Sequence, residues 1–273
     1  MRDINDIINK VIDSLKNIKG LEAIVLGGSR AKGNHSSDSD IDIGLYYDKE
    51  TIDLSLLDKK AQELDQEHRE NLLARPGEWG KWVDGGCWLI IDDLPVDFIL
   101  RDVSRVKKAI QECREGVVTR HYQTGHPHAY FNAIYMGELA ISKLLWSKNN
   151  EILKLKTIAE EYPQKLKKEI IHLFSFEAGF SHMLAEKNIT RDDAYYVVAH
   201  IVRSISALNQ VLFALNEKYC INEKKAVKMI ETFNIHPDNY KNKVDTIFTF
   251  TGTDLSGACD HLKGLINEVN GLL

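Results

Sequence analysis

The chain has 273 residues, 44% hydrophobic and 27% charged, proportions of an ordinary folded protein that exclude long disorder, collagen-like sequence and coiled coil. Its net charge of -5 argues against a chain that coats nucleic acid through bulk charge. That charge is unevenly placed, because the first 110 residues hold 16 basic and 21 acidic side chains whereas the rest hold 19 of each.

In chain order, Ile4, Ile7, Ile8, Val11, Ile12, Leu15 and Ile18 recur at the spacing of one helix face, and Gly20 marks the end of that helix. The start carries charges throughout, so no signal peptide is expected. Leu21 to Leu26 is an apolar run of strand length that enters a Gly-Gly turn; Ile41 to Tyr47 reads as a second strand. A helix is expected over 54–73. Two further strands, CWLII and VDFIL, flank the turn-like Asp92-Asp93-Leu94-Pro95.

Beyond the His-Pro-His element at 126 to 128 the pattern changes to long amphipathic segments at roughly 129–147, 163–187, 192–217, 222–234 and 255–272. The expected architecture is an α/β N-terminal domain over 1–110, with a mixed sheet and helices, a linker over 111–127, and an all-α C-terminal helical bundle over 128–273. No stretch of 18 apolar residues is present to cross a membrane. Four scattered cysteines without Cys-x-x-Cys spacing fit reduced thiols, so a cytoplasmic location is expected.

The stretch that carries chemistry is Val25 to Asp48, VLGGSRAKGNHSSDSDIDIGLYYD. Side chains alternate along a strand, so Asp40 and Asp42 share one face about 7 Å apart, with Ile41 and Ile43 on the other. Two carboxylates side by side repel unless a cation sits between them, and Mg²⁺ together with nucleotide phosphates is what such a pair binds. Gly27 and Gly28 let backbone N–H groups approach phosphate oxygens, and Ser29 adds a hydroxyl.

Other motifs fail on spacing. An EF-hand starting at Asp38 would need Gly at Ile43 and Glu at Lys49. A Walker A loop from Gly28 to Gly33 would need Lys and Ser or Thr where Asn34 and His35 stand, and the Rossmann pattern is absent. His121, His126 and His128 with Cys113 match no common zinc spacing.

The pattern Gly28-Ser29, a gap of ten, then Asp40-Ile41-Asp42 resembles the nucleotidyltransferase superfamily that includes polymerase beta. The resemblance implies a third carboxylate on a neighbouring strand, which Asp97 in Pro95-Val96-Asp97-Phe98-Ile99 matches. A looser resemblance, through PGEWGKWVDGGCWLI, VDFILRD, GHPHAY and LFALNEKY, is to bacterial proteins that join this domain to a helical bundle like that of antibiotic nucleotidyltransferases. It implies that Asp40, Asp42 and Asp97 hold Mg²⁺, that Gly28 and Ser29 hold the phosphates of ATP, and that Asp97 completes the metal site or takes a proton. AMP would pass to a hydroxyl of a small molecule, such as an aminoglycoside or lincosamide antibiotic, with release of pyrophosphate.

Arg30 and Lys32 flank the glycines and are further candidates for phosphate contact, as is Lys224 from the helical part. Glu138 is a candidate general base by likeness to antibiotic nucleotidyltransferases. Trp79, Trp82 and Trp88 lie among glycines, either as an aromatic wall for a ligand or as packing over the sheet.

Two other functions are kept open. One is a toxin–antitoxin module that nucleotidylates a partner protein, its helical part resembling the HEPN type. Ribonuclease activity is not expected, since eight residues separate Arg191 from His200 and no histidine follows Arg203 closely. The other is a non-enzymatic nucleotide-binding protein. A homodimer is kept open and the sequence does not give the oligomeric state; membrane and bulk nucleic-acid partners are not expected, and a template-dependent polymerase is disfavoured.

Overall fold

The structure, a computed structural model, describes residues 4–33 and 39–273. The chain divides into two compact units. The first contains residues up to 111, with 120–125 and 129–161, and the second contains 112–119, 126–128 and 162–273.

The first unit is built on a five-stranded sheet. Its elements run α1 (Ile4–Leu15), β1 (Leu21–Leu26), α2 (Gly28–Lys32), β2 (Ile41–Tyr47), α3 (Leu54–Leu64), β3 (Gly86–Ile91), β4 (Leu94–Asp102), and α4 (Val103–Glu115), which continues into the second unit. The short strands β5 (Arg120–His121) and β6 (Tyr130–Phe131) pair with each other, and α5 (Asn132–Ile141), β7 (Lys143–Ser147) and α6 (Glu151–Glu160) follow. The spatial order is β3-β4-β2-β1-β7, with only β2 and β4 parallel. Ile41, Ile43 and Leu45 of β2, Val96, Phe98 and Leu100 of β4, and Cys87, Leu89 and Ile91 of β3 form one buried face. They pack with Ile7, Val11 and Leu15 of α1 and Leu57 and Ala61 of α3 in a single core. The intervening residues Asp42, Asp97 and Trp88 therefore stand on the opposite face.

The strands at 21–26 and 41–47 have the expected bounds. The segment expected as a helix over 129–147 differs, because α5 ends at Ile141 and residues 143–147 form β7, antiparallel to β1. Without β7 the outer edge of β1 would leave its N–H and C=O groups unpaired, and Leu144, Leu145 and Trp146 suit a strand as well as a helix. Likewise α3 stops at Leu64, where Asp65 takes an extended conformation.

The second unit contains the long pair α7 (Gln164–Asn188) and α8 (Ala194–Leu215), joined through a short 3₁₀ turn. The Ser204 hydroxyl on α8 donates to the Ala178 carbonyl on α7 at 2.9 Å. Three helices follow, α9 (Ala226–Ile230), α10 (Tyr240–Phe250) and α11 (Leu255–Asn270). The expected helix over 222–234 is reduced to α9, and α10 had no counterpart in the sequence reading. By length and composition α8 would suffice to cross a membrane, which the sequence reading missed, yet 67% of its most apolar window is buried inside the protein. It is the core helix of this unit. The His-Pro-His element belongs here too, with His126 Nδ1 3.1 Å from Glu223 and His128 Nε2 2.9 Å from Glu177.

Candidate active site

Asp42 on β2 and Asp97 on β4 are direct partners in the parallel ladder. Equivalent positions on neighbouring strands point their side chains the same way, so both carboxylates rise from the face opposite the core. Asp40 lies exposed just before β2. The Asp97 carboxyl is pushed up to about 6, first by burial and then by the charges of Asp42 and Asp40. The three acids thus sense one another, and a cation among them would relieve the repulsion.

The turn after β1 is fitted to this pair. Gly27 N–H donates to the Asp42 carbonyl at 2.8 Å. Gly28 has φ +58°, and a Cβ there would lie 1.7 Å from Asp42 Oδ2. The absence of a side chain at Gly28 therefore makes room for the Asp42 carboxylate itself, a constraint more specific than the backbone–phosphate approach read from sequence. Ser29 follows, half-buried in the first turn of α2.

Arg30 is 5% exposed. Its Nε donates to the carbonyls of Ser39 and Asp40 at 3.1 Å each, and its Nη2 also donates to Ser39. The sequence reading offered Arg30 to phosphate, whereas the structure shows it stapling α2 to the segment that carries Asp40. Nothing local in the sequence signals such a contact, since the carbonyls it binds lie nine and ten residues on. The side chain of Lys32 lies outside the described residues.

Glu138 on α5 receives Arg101 Nε and Nη2 on its two oxygens at 2.8 Å each. Arg101 is four residues beyond Asp97 on β4, about 13 Å along the strand, so Glu138 is engaged in a bidentate ion pair at the other end of that face. Lys224 is exposed in the second unit, in the turn before α9, and its N–H donates to Asn222 at 2.7 Å.

The tryptophans divide. Trp82 packs inward against His121, Tyr130 and Tyr135, with ring centroids 3.9, 5.9 and 5.9 Å away. Trp88 is the antiparallel ladder partner of Asp97 and stays 62% exposed.

Among the described residues, no three His, Cys, Asp or Glu side chains gather into a metal cage. A cage is not what Mg²⁺ requires in a nucleotide site, where one or two carboxylates bind it together with phosphate oxygens and waters. The hard oxygen donors of Asp40, Asp42 and Asp97, whose charges add to burial in raising the proton affinity of Asp97, fit that ion.

A mixed sheet with Asp42 and Asp97 on the face away from the core helices makes the first unit an α/β domain. Residues 8–115 match the family model of the nucleotidyltransferase domain. The chain carries that domain and is an enzyme of nucleotide transfer. Among solved structures similar to the chain is a nucleotidyltransferase-like protein from Exiguobacterium sibiricum 255-15, at 6% identity and a TM-score of 0.46, with 99% of this chain and 74% of that one covered. No curated protein matches the chain.

Proposed function

We propose that the protein transfers AMP from ATP to a hydroxyl of a small-molecule acceptor, an aminoglycoside or lincosamide being the class to test first, with release of pyrophosphate. The observation that carries this reading is the pairing of Asp42 with Asp97 across the β2–β4 ladder, with Gly28 cleared of any side chain against Asp42 Oδ2. Asp40 and Asp42 would hold Mg²⁺, and Gly28 and Ser29 the β and γ phosphates. Bound Mg²⁺ supplies charge neutralisation on the phosphate oxygens and on the leaving pyrophosphate. Asp97 accepts the proton of the acceptor hydroxyl as that oxygen bonds to the α-phosphorus and the bond to the β-phosphate oxygen breaks. In the metal-free site burial first, and then the charges of Asp42 and Asp40, push this carboxyl up to about 6, so it is ionised at pH 7 and able to take that proton.

The test is pyrophosphate release from each of the four nucleoside triphosphates over an acceptor library, with Mg²⁺ or with a chelator. Asp42→Asn is expected to abolish both turnover and Mg²⁺-dependent nucleotide binding in titration calorimetry. Undiminished binding in that variant would overturn the assignment of the site.

A further inference from the structure

Taking Asp40, Asp42 and Asp97 as the reacting centre, as in the reading above, we propose that Trp88, backed by Trp79, is the platform on which a ring of the acceptor stacks. Asp42 pairs with Asp97 across β2 and β4, and Asp97 pairs with Trp88 across β4 and β3. Directly opposed residues share a face, so Asp42, Asp97 and the Trp88 indole stand abreast on three adjacent strands, about 10 Å from first to last.

Their order assigns the ligand. The Gly27-Gly28-Ser29 turn follows β1, on the far side of β2 from β4 and β3. A triphosphate held by that turn enters from the β1 side, and the group attacking its α-phosphate comes past Asp97 from the β3 side. Trp88 is the side chain that this group meets next. A nucleobase would have to cross the line of carboxylates to reach it.

The platform is also held in shape. The rings of Trp79 and Trp88 stack with centroids 4.5 Å apart and planes at 22°. Trp79 is fixed from behind, because its N–H donates to the Asp84 carbonyl at 3.2 Å and its own carbonyl accepts from the buried Gln123 amide at 2.6 Å. A Cβ at Gly86 would come within 3.0 Å of Trp79 Cζ3, so the glycine leaves the space that Trp79 fills. Trp88 lies on top with 62% of its surface open. A large apolar ring held flat against a second ring has little freedom left to lose on binding. Its electron-rich face favours polarised C–H groups or a cationic substituent, as a saccharide or aminocyclitol ring presents.

The experiment compares wild type, Trp88→Ala and Trp88→Phe by calorimetry and by quenching of indole fluorescence. Kanamycin and lincomycin serve as ring-bearing probes, and Mg²⁺ with α,β-methylene-ATP serves as the nucleotide probe. At least one ring probe is expected to bind wild type, to weaken roughly tenfold or more in Trp88→Ala and to recover most of that loss in Trp88→Phe, while nucleotide affinity stays within about twofold. Losing the stack on Trp79 should lower the melting temperature of Trp88→Ala by only a few degrees, so the variant stays folded and lost ring binding is separable from lost folding. The proposal is overturned if neither probe binds wild type, if Trp88→Ala binds the ring probe as wild type does, or if it loses nucleotide affinity instead. Asp42→Asn distinguishes the two readings: nucleotide binding that survives it removes the function proposed above, whereas ring binding on Trp88 is read separately.

Discussion

Replacing Gly28 by alanine tests the site at its tightest point. The new Cβ would lie 1.7 Å from Asp42 Oδ2 and 2.6 Å from its Cγ, against ordinary contact from 3.4 Å, so the carboxylate must move by about 1.7 Å. The residue would also hold φ +58° with a side chain, which costs about 1–2 kcal/mol. A displacement of 1 Å in a reacting group costs roughly 100-fold in rate, so Gly28→Ala is expected to lose at least that factor in pyrophosphate release, together with most of its Mg²⁺-dependent nucleotide affinity. Gly33→Ala is the control, since Gly33 has φ +74° and, among the described residues, nothing lies within 4 Å of the added Cβ. It carries the same backbone strain without the collision. Both variants should melt a few degrees lower, at about 2–4 °C per kcal/mol, and only Gly28→Ala should fail in calorimetric titration with Mg²⁺ and α,β-methylene-ATP. Normal nucleotide binding by Gly28→Ala, or an equal loss in Gly33→Ala, would refute the reasoning.

Arg30→Ala removes the staple on the Ser39 and Asp40 carbonyls; hydrogen bonds from a charged donor contribute about 1.5–3 kcal/mol, and a drop in nucleotide affinity beyond the drop in stability, read by calorimetry and thermal melting, is expected. Glu138→Ala leaves the buried Arg101 guanidinium without its carboxylate and should cost about 3 kcal/mol or more in urea unfolding, whereas Glu138→Gln losing turnover at unchanged stability would restore Glu138 as a base. Asp97→Asn should inactivate the enzyme yet raise the melting temperature at pH 7 in chelator. The folded carboxyl is raised to about 6 from 3.8, so its ionisation costs stability that sets in as pH rises through that window, about 1–3 kcal/mol at pH 7; no gain is expected at pH 3. Asp65 acts in the opposite sense, because its carboxyl is held low by Arg69 and by the Ile90 and Arg69 N–H groups, against the opposing effect of burial. Its contribution is present above the ordinary carboxylate value near 4 and is lost as pH falls through the depressed one, so Asp65→Asn should flatten the acid limb of a melting-temperature profile.

The strands that carry this candidate site were legible before folding was considered, and the reason is periodicity. LEAIVL and IDIGLYY are short apolar runs bounded by glycine or acidic residues, and both form strands with the bounds read from sequence. Alternation along the second put Ile41 and Ile43 on one face, and both are fully buried. The likeness to nucleotidyltransferases pointed to Asp97 before its ladder partner was visible. The staple by Arg30 was not legible, because a guanidinium reads the same whether it meets a phosphate or two carbonyls. Nor was the pairing of Arg101 with Glu138, which lie 37 residues apart.

Residue order alone marked β1 and β2 and the alternation that sets Asp42 opposite Ile41 and Ile43, since these depend on neighbours within a few positions. Tertiary structure decided which strands lie side by side. It turned 143–147 into an edge strand by offering β1 as a partner, and it set Asp42, Asp97 and Trp88 in one row. Pairing partner and register are choices between segments distant along the chain, governed by which buried face each strand can share, and a one-residue slip would send every side chain to the other side.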